Sequence, residues 1–145
     1  MNISYSLKIL FSPLIFLMSL FISGYTSAEI SVIVHSSNEV NLSAKNIQRI
    51  FLGKKKEFSA GKRALPIHLP IGNDVAERFN AKVLKKEGQK LSGYWGQYIF
   101  TGKGLPPEQV ESMMEVINLV TTNPNAIGYV DSKVVDDTVR VLYKF

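Results

Sequence analysis

The sequence of 145 residues contains no cysteine, two histidines and one tryptophan. Without cysteine the chain has no disulfide, no thiolate nucleophile and no cysteine for lipid attachment at its N-terminus. His35 and His68 are too few for a metal site with a recognisable spacing, and both fall at predicted strand ends, where a histidine is usually a surface or edge residue. The sequence therefore predicts no metal site and no cofactor, and a fold that its hydrophobic core alone must stabilise.

Motifs that carry catalysis are also missing. No serine lies in a Gly-x-Ser-x-Gly elbow, and "FTGKG" at residues 100–104 lacks both the glycine loop and the Ser/Thr of a phosphate-binding P-loop. We expect Glu108, Glu111 and Glu115 on one face of a helix, where they favour its positive N-terminus rather than act as paired catalytic carboxylates. The sequence therefore predicts no catalytic residue and a protein that is not an enzyme.

The first 28 residues have the order of a secretory signal peptide. Lys8 precedes an apolar run at residues 9–22, and small residues at 26–28 form a cleavage site. The run is shorter than the roughly 20 residues of a membrane span, although an uncleaved anchor is the alternative. We expect a signal peptide at residues 1–28, one domain at residues 29–145 and a periplasmic protein with no membrane span after cleavage.

Charge is distributed unevenly along a chain whose net charge is +5. Residues 45–103 contain 13 basic and four acidic side chains, whereas residues 104–145 contain three basic and six acidic ones. A basic middle favours an anionic partner or an acidic protein surface, although a solvated lysine-rich surface is the alternative. Export and the lack of aromatic residues interleaved with basic ones argue against nucleic acid. The candidate partner-binding face is Lys54, Lys55, Lys56, Lys62 and Arg63.

Hydrophobic periodicity alternates between strands and helices. Period-two patterns predict strands at residues 29–35, 64–69, 126–130 and 138–143. Helical patterns predict helices at residues 44–52, 73–87, 89–100 and from Pro107 onward, the last with an inner stripe of Val110, Met113, Met114, Ile117 and Val120. We expect Gly53 and Gly88 to end the first two helices and Trp95 to be largely buried. Strands separated by helices indicate an α/β sheet with helices on its faces.

Five strings in order carry a resemblance to a known family: "VIVHSSN", "LSAKNIQRIFLGK", "LPIHLPIGNDVAERF", "YWGQYIFTGKGLPPE" and "NPNAIGYV". Together they resemble the phosphate-binding (PstS-like) periplasmic proteins of bacterial ABC transporters, and in particular a small single-domain branch of that superfamily. The full-length proteins fold as two α/β lobes with the ligand between them. The resemblance therefore implies a single lobe of a type II periplasmic-binding-protein-like fold, with a mixed sheet flanked by helices.

The resemblance also places a candidate anion site. In the full-length proteins an arginine and a glycine-serine-rich turn that opens a helix hold phosphate, and residues 69–75 correspond to that segment. Gly72 matches, Leu69 stands at the arginine position, and Asp74 would compete with an anion for the free N–H groups of the helix start. The polar loop after the first strand is expected to form a second wall. The candidate ligand-binding residues are Ser36, Ser37, Gly72, Asn73, Asp74, Val75 and Arg78.

These observations predict an exported binding-type module that acts by ligand or protein binding rather than catalysis. Its partner would be phosphate or another oxyanion, or an envelope or sensory protein. The alternative is a phosphate or oxyanion solute-binding component of an ABC transporter, and a structural domain of an envelope complex also stays open. The sequence leaves open the identity of the ligand or partner and the oligomeric state.

Overall fold

The computed structural model describes residues 28–145, so the predicted signal peptide lies almost entirely outside the described residues. No helix between residues 28 and 145 is long and apolar enough to cross a membrane. The strands are β1 (Ile30–His35), β2 (Glu57–Ser59), β3 (Lys62–Arg63), β4 (Leu65–His68), β5 (Glu108–Gln109), β6 (Ala126–Asp131) and β7 (Val139–Lys144). The α-helices are α1 (Ala44–Phe51), α2 (Asp74–Phe79), α3 (Gly88–Phe100) and α4 (Met113–Thr122).

Five of the strands form one mixed sheet in the order β5-β4-β6-β1-β7. β4 pairs in parallel with β5 and β6, whereas β1 is antiparallel to both β6 and β7. The first five residues of β1 and of β6 are all buried, as in strands covered on both faces. The predicted α/β class, with a mixed sheet flanked by helices, is confirmed.

Aromatic rings pack at the centre of the core between the sheet and the helices. Phe79 of α2 stacks on Tyr129 of β6 with ring centroids 3.8 Å apart, and Phe51 of α1 meets both rings edge-on. Offset and edge-on contacts of this kind stabilise a core beyond the apolar area that they bury. This cluster connects α1 and α2 to the end of β4, where His68 joins it.

The first predicted helix is confirmed, and it ends one residue earlier than expected. Ser43 caps α1 by accepting a hydrogen bond from the Asn46 N–H, and Ile47, Ile50 and Phe51 are buried. Gly53 follows with a φ of 70°, a left-handed conformation that glycine adopts without strain. The basic segment after it contains a small hairpin of β2 and β3.

The second predicted helix begins as expected but ends differently. Its apolar stripe is buried, yet α2 passes into a π-helical turn at Asn80–Leu84. That turn ends at Lys85, which has a φ of 56°, a conformation that costs a non-glycine residue. The prediction that Gly88 ends this helix is wrong, because Gly88 instead begins α3.

The helix expected from Pro107 onward begins six residues later. Glu108 and Gln109 first pair with Ile67 and His68 as the edge strand β5, which draws this segment into the sheet. α4 then begins after Ser112, whose Oγ accepts from the Glu115 N–H. This is the capping position that Ser-x-x-Glu favours.

This later start corrects two further expectations for the same segment. Glu108 lies in a strand and Glu111 in the connection before α4, so neither shares a helix face with Glu115. The Glu115 carboxylate instead accepts from the Glu111 N–H at 3.0 Å. Met114, predicted to face the core, is 66 % exposed, because the buried face of α4 consists of Val116, Ile117 and Val120.

Candidate functional site

The seven residues of the predicted anion site do not come together. Val34 of β1 and Pro66 of β4 both lie opposite Ile127 of β6, although β1 runs antiparallel to β6 and β4 runs parallel to it. The loop that follows β1, with Ser36 and Ser37, is therefore at the opposite end of the strands from the segment that follows β4. The expectation that these serines form a second wall is wrong, because the direction of β1 reverses their position.

The remaining candidates lie at the start of α2, where the N–H groups already have acceptors. Asn73 Oδ1 accepts from the Val75 N–H at 2.9 Å and from the Ala76 N–H at 3.3 Å. The Gly72 N–H donates to Glu77 Oε1 at 3.1 Å. The segment is thus a helix start in which its own side chains accept from the Gly72, Val75 and Ala76 N–H groups.

Arg78, the candidate cation of that site, is engaged elsewhere. Its Nη1 donates to the Ala28 carbonyl at 2.6 Å, and its Nη2 forms an ion pair with Asp131 at 3.3 Å. The pKa of Asp131 is lowered, mainly by a hydrogen bond from the Lys133 N–H and then by Arg78. Arg78 therefore fastens α2 to the end of β6, and its Nε donates to the Asp74 carbonyl at 3.3 Å rather than to an open anion site.

A cleft of about 220 Å³ lies at the carboxyl end of β4. We call it the His68 cleft. In α/β proteins the carboxyl ends of parallel strands are where ligands usually bind. No lysine or arginine is among its lining residues, and within residues 28–145 no cluster of histidine, aspartate and glutamate could hold a metal ion. The lining consists of His68, Ile71, Glu77, Asn80, Gly88, Leu91, Ser92, Trp95, Pro106, Pro107 and Gln109.

His68 is at the buried end of this cleft with 7 % of its surface exposed, so the expectation of a surface or edge histidine is wrong. Its Nδ1 lies 2.8 Å from the Leu69 carbonyl oxygen and 2.9 Å from the Tyr129 hydroxyl. A carbonyl oxygen only accepts, so the shorter contact requires the proton on Nδ1 and leaves Nε2 with its lone pair.

The surroundings of His68 keep its ring neutral. Burial lowers the pKa of His68, opposed by the hydrogen bond to the Leu69 carbonyl, by the nearby Asn80 side chain and by the charge of Glu77. Nε2 is buried without a hydrogen-bond partner among the described residues. Asn80 is thus near enough to the ring to favour its protonated form.

Asn80 is the second buried polar group of the cleft, with 3 % of its surface exposed. It is the first residue of the π-helical turn, and its Oδ1 also lacks a partner within the part of the chain that the structure describes. π-Helical turns occur frequently at functional sites because they redirect a side chain from the regular helix. Neither Asn80 nor the turn has a sequence signal, because an asparagine inside a helical pattern resembles a solvent-facing residue.

A second depression of about 410 Å³ adjoins the cleft, and we call it the basic groove. Its cations are Lys55, Lys56, Arg63 and Lys103, and none forms an ion pair with another described residue. Two members of the predicted basic face do not line it, since Lys54 lies over the Tyr94 ring and Lys62 is exposed on β3. The structure thus brings together three residues of the predicted face and adds Lys103.

Trp95 of α3 lines both depressions. Its ring meets Tyr94 and Tyr98 edge-on, with centroids 5.1 and 5.2 Å away. The prediction that Trp95 is largely buried holds in part, because the ring packs against the core but keeps some of its surface exposed. One side of α3 faces solvent, and Phe100 at its end is 92 % exposed.

No protein-family model and no curated protein matches the sequence. Among solved structures, the chain is similar to a protein described as a phosphate ABC transporter substrate-binding protein with bound phosphate from Clostridium perfringens. The TM-score is 0.63 at 21 % identity, over 79 % of this chain and 45 % of that one. An ABC-type phosphate transport receptor from Vibrio cholerae gives 0.64 at 18 % identity, over 79 % and 46 %. PstS from Borrelia burgdorferi gives 0.53 at 14 % identity, over 72 % and 42 %.

These likenesses confirm the fold that the sequence predicted. The chain spans less than half the length of each of these proteins. This partial coverage agrees with a single lobe of a periplasmic-binding-protein-like fold.

Proposed function

We propose that this chain is an exported binding module of the periplasmic-binding-protein fold that acts by binding rather than by catalysis. Its partner in this proposal is an acidic segment of an envelope or sensory protein, held in the basic groove. The observation that carries the proposal is the set of four groove cations that form no ion pair with the rest of residues 28–145.

The walls of the groove support a protein partner better than a small anion. Trp95 and Tyr98 supply aromatic surface, and Leu65 and Leu105 supply aliphatic surface beside the cations. Aromatic residues and arginine are enriched at protein interfaces, and rings of this kind also attract cationic or apolar side chains. A segment that alternates acidic and apolar residues would complement both components of the groove.

Fluorescence anisotropy with a labelled peptide of alternating aspartate and leucine tests this proposal. We expect saturable binding that weakens as salt rises, because exposed charges are screened. The triple variant Lys56→Gln, Arg63→Gln and Lys103→Gln should weaken binding at least tenfold. A control with the same charge change outside the groove, Lys85→Gln, Lys90→Gln and Lys133→Gln, should bind nearly as the unchanged protein does. Equal weakening by both triple variants would show that net charge, and not the groove, attracts the peptide.

An oxyanion-binding component of a transporter is the second candidate function. The likeness to a protein with bound phosphate favours it. The start of α2 opposes it, because Asn73 and Glu77 occupy the N–H groups and Asp74 adds negative charge beside them. We therefore expect no calorimetric heat and no thermal shift with millimolar phosphate at low ionic strength. Saturable stabilisation by phosphate, with none by chloride at equal ionic strength, would make the oxyanion the ligand.

Export is the remaining part of the proposal, and the support for it is the signal-peptide pattern of residues 1–28. Expression of the whole chain in a bacterium with a periplasm, followed by osmotic release, provides the test. We expect intact mass of the released protein to match a chain that begins at Glu29. Retention of the uncleaved chain in the membrane fraction would favour the anchor instead.

A further inference from the structure

The His68 cleft contains two buried hydrogen-bond acceptors that no described residue uses. His68 Nε2 carries a lone pair, because the proton is on the nitrogen that contacts the Leu69 carbonyl. Asn80 Oδ1 is the second acceptor, and both atoms belong to side chains that are more than nine-tenths buried. Buried polar atoms normally have partners, and an unsatisfied one costs about 1–3 kcal/mol. Two such atoms in one cleft indicate a place prepared for donors from outside the chain.

The charge of the cleft also favours a ligand that donates hydrogen bonds. Glu77 supplies a carboxylate to the lining, and no lysine or arginine is present there to neutralise it. The field of that carboxylate reaches deep into the site, since Glu77 acts to raise the pKa of both His68 and Tyr129. A cleft with this field repels phosphate and attracts a positive group that carries N–H donors.

The rest of the lining is apolar and includes one aromatic wall. Leu91, Pro106 and Pro107 present hydrocarbon surface, and Trp95 presents an indole ring. An indole face is the aromatic surface that attracts ammonium groups best. At roughly 30 Å³ for each water-sized group, a volume of about 220 Å³ admits about seven non-hydrogen atoms.

We propose that the His68 cleft binds a small organic ammonium ion with a hydrocarbon body. Its N–H groups would donate to His68 Nε2 and Asn80 Oδ1, its charge would face Glu77, and its hydrocarbon would lie against Leu91 and the proline pair. Trp95 would cover the ligand from the side of α3. The inference rests on the proposed function in one respect, namely that the chain acts by binding. The cleft itself is a different site from the basic groove.

Trp95 provides the measurement, because it is the only tryptophan in the sequence and lines the cleft. Three probes of nearly equal shape separate the contributions of charge and shape: n-butylammonium chloride, n-butanol and sodium butyrate at constant ionic strength. We expect a saturable change in tryptophan emission with n-butylammonium, at least tenfold weaker binding of n-butanol and no binding of butyrate. The inference is overturned if n-butylammonium gives no saturable change, or if n-butanol or butyrate binds as tightly.

Two variants and one control identify the residues that hold the probe. Glu77→Gln should weaken n-butylammonium binding at least tenfold, whereas Glu57→Gln, the same change on the distant hairpin, should leave binding unchanged. Asn80→Leu should abolish binding without lowering the thermal midpoint, because it replaces an unsatisfied buried amide oxygen by hydrocarbon. A purely structural asparagine would lose stability instead. Unchanged binding in Glu77→Gln or Asn80→Leu would refute the inference.

The two proposals fail separately in these experiments. The groove variant that should lose the acidic peptide, Lys56→Gln with Arg63→Gln and Lys103→Gln, should still bind n-butylammonium. Loss of the amine titration with intact peptide binding refutes the ammonium site alone. Loss of peptide binding with an intact amine titration refutes the groove contact alone.

Discussion

His68 shows at the scale of one residue how a neutral buried group links stability to pH. Because burial lowers its pKa in the folded state below the ordinary value of 6.5, the folded protein resists a proton that the unfolded chain accepts. The stability that this residue supplies is therefore complete above about pH 6.5 and is lost as the pH falls through the folded pKa. The pKa values of Glu29, Asp131 and Asp136 are also lowered, from ordinary values of 4.5 for the glutamate and 3.8 for the aspartates. The stability that these carboxylates supply is therefore lost only at a more acidic pH.

We accordingly expect the free energy of unfolding to fall between pH 7.5 and pH 5, where these three carboxylates stay ionised. Urea denaturation at several pH values measures the fall. His68→Gln should reduce the slope, because the variant has no ring to protonate. His35→Gln changes the other histidine, at the end of β1, and serves as the matched control. An unchanged slope in His68→Gln would exclude a buried, neutral His68.

Trp95 gives a second prediction at this scale. A fully buried tryptophan would cost about 3–5 kcal/mol on replacement by alanine, but this ring is half-buried between two open depressions. We therefore expect Trp95→Ala to lower the free energy of unfolding by roughly half of that, about 1.5–3 kcal/mol. Urea denaturation followed by circular dichroism measures it without the lost fluorophore. A cost above that range would mean that the ring is buried in solution.

At the scale of elements, the contact of α4 with β6 depends on a glycine. A Cβ atom on Gly128 would overlap the Val116 side chain of α4. We expect Gly128→Ala to lower the free energy of unfolding by about 1–3 kcal/mol, as overpacked cores do. Gly96 in the middle of α3 has no atom within 4 Å of its Cβ position, so Gly96→Ala should stabilise by about 0.5–1 kcal/mol. Chemical denaturation compares the two, and a neutral Gly128→Ala would mean that α4 can move away from the sheet.

Elements with a long periodic pattern could be read from the sequence, and short or irregular ones could not. α1 has a cap, a stripe and a terminal glycine, each with its own signal, and the structure has all three. β5 has two residues, too few for any period, and exists because the edge of β4 offers backbone partners. The π-helical turn at Asn80–Leu84 was missed for a similar reason, since the apolar stripe passes through it unchanged.

At the scale of the whole molecule, strand direction decided which part of the candidate site was predictable. The segment after β4 was placed correctly at the carboxyl end of a strand, because that requires only local order. The loop after β1 was misplaced because its position depends on β1 running antiparallel inside the sheet, which no local pattern encodes. The His68 cleft could not be predicted for the same reason, because its lining comes from distant segments that share no motif. Asn80 and Gln109, for example, line the cleft together with His68.

The same topology makes residues 29–145 a unit that should fold by itself. Ile30 in β1 exchanges two backbone hydrogen bonds with Phe145, of 3.2 and 3.0 Å, so the two ends of the domain meet in the sheet. Arg140 of β7 adds two hydrogen bonds to the Asn38 and Val40 carbonyls, of 2.8 and 2.7 Å. β7 covers one edge of β1 along its length and should therefore be essential to the fold.

We expect a chain of residues 29–145 to unfold in a single cooperative transition, with the same thermal midpoint as the whole chain. Circular dichroism and calorimetry on both proteins provide the comparison, because a two-state unit gives equal calorimetric and van't Hoff enthalpies. Removal of residues 139–145 serves as the contrasting truncation. It exposes the β1 backbone to solvent along one edge and should abolish the cooperative transition. A cooperative transition without β7 would mean that the other four strands of the sheet suffice, and the antiparallel end of the sheet would then be an addition to the core rather than part of it.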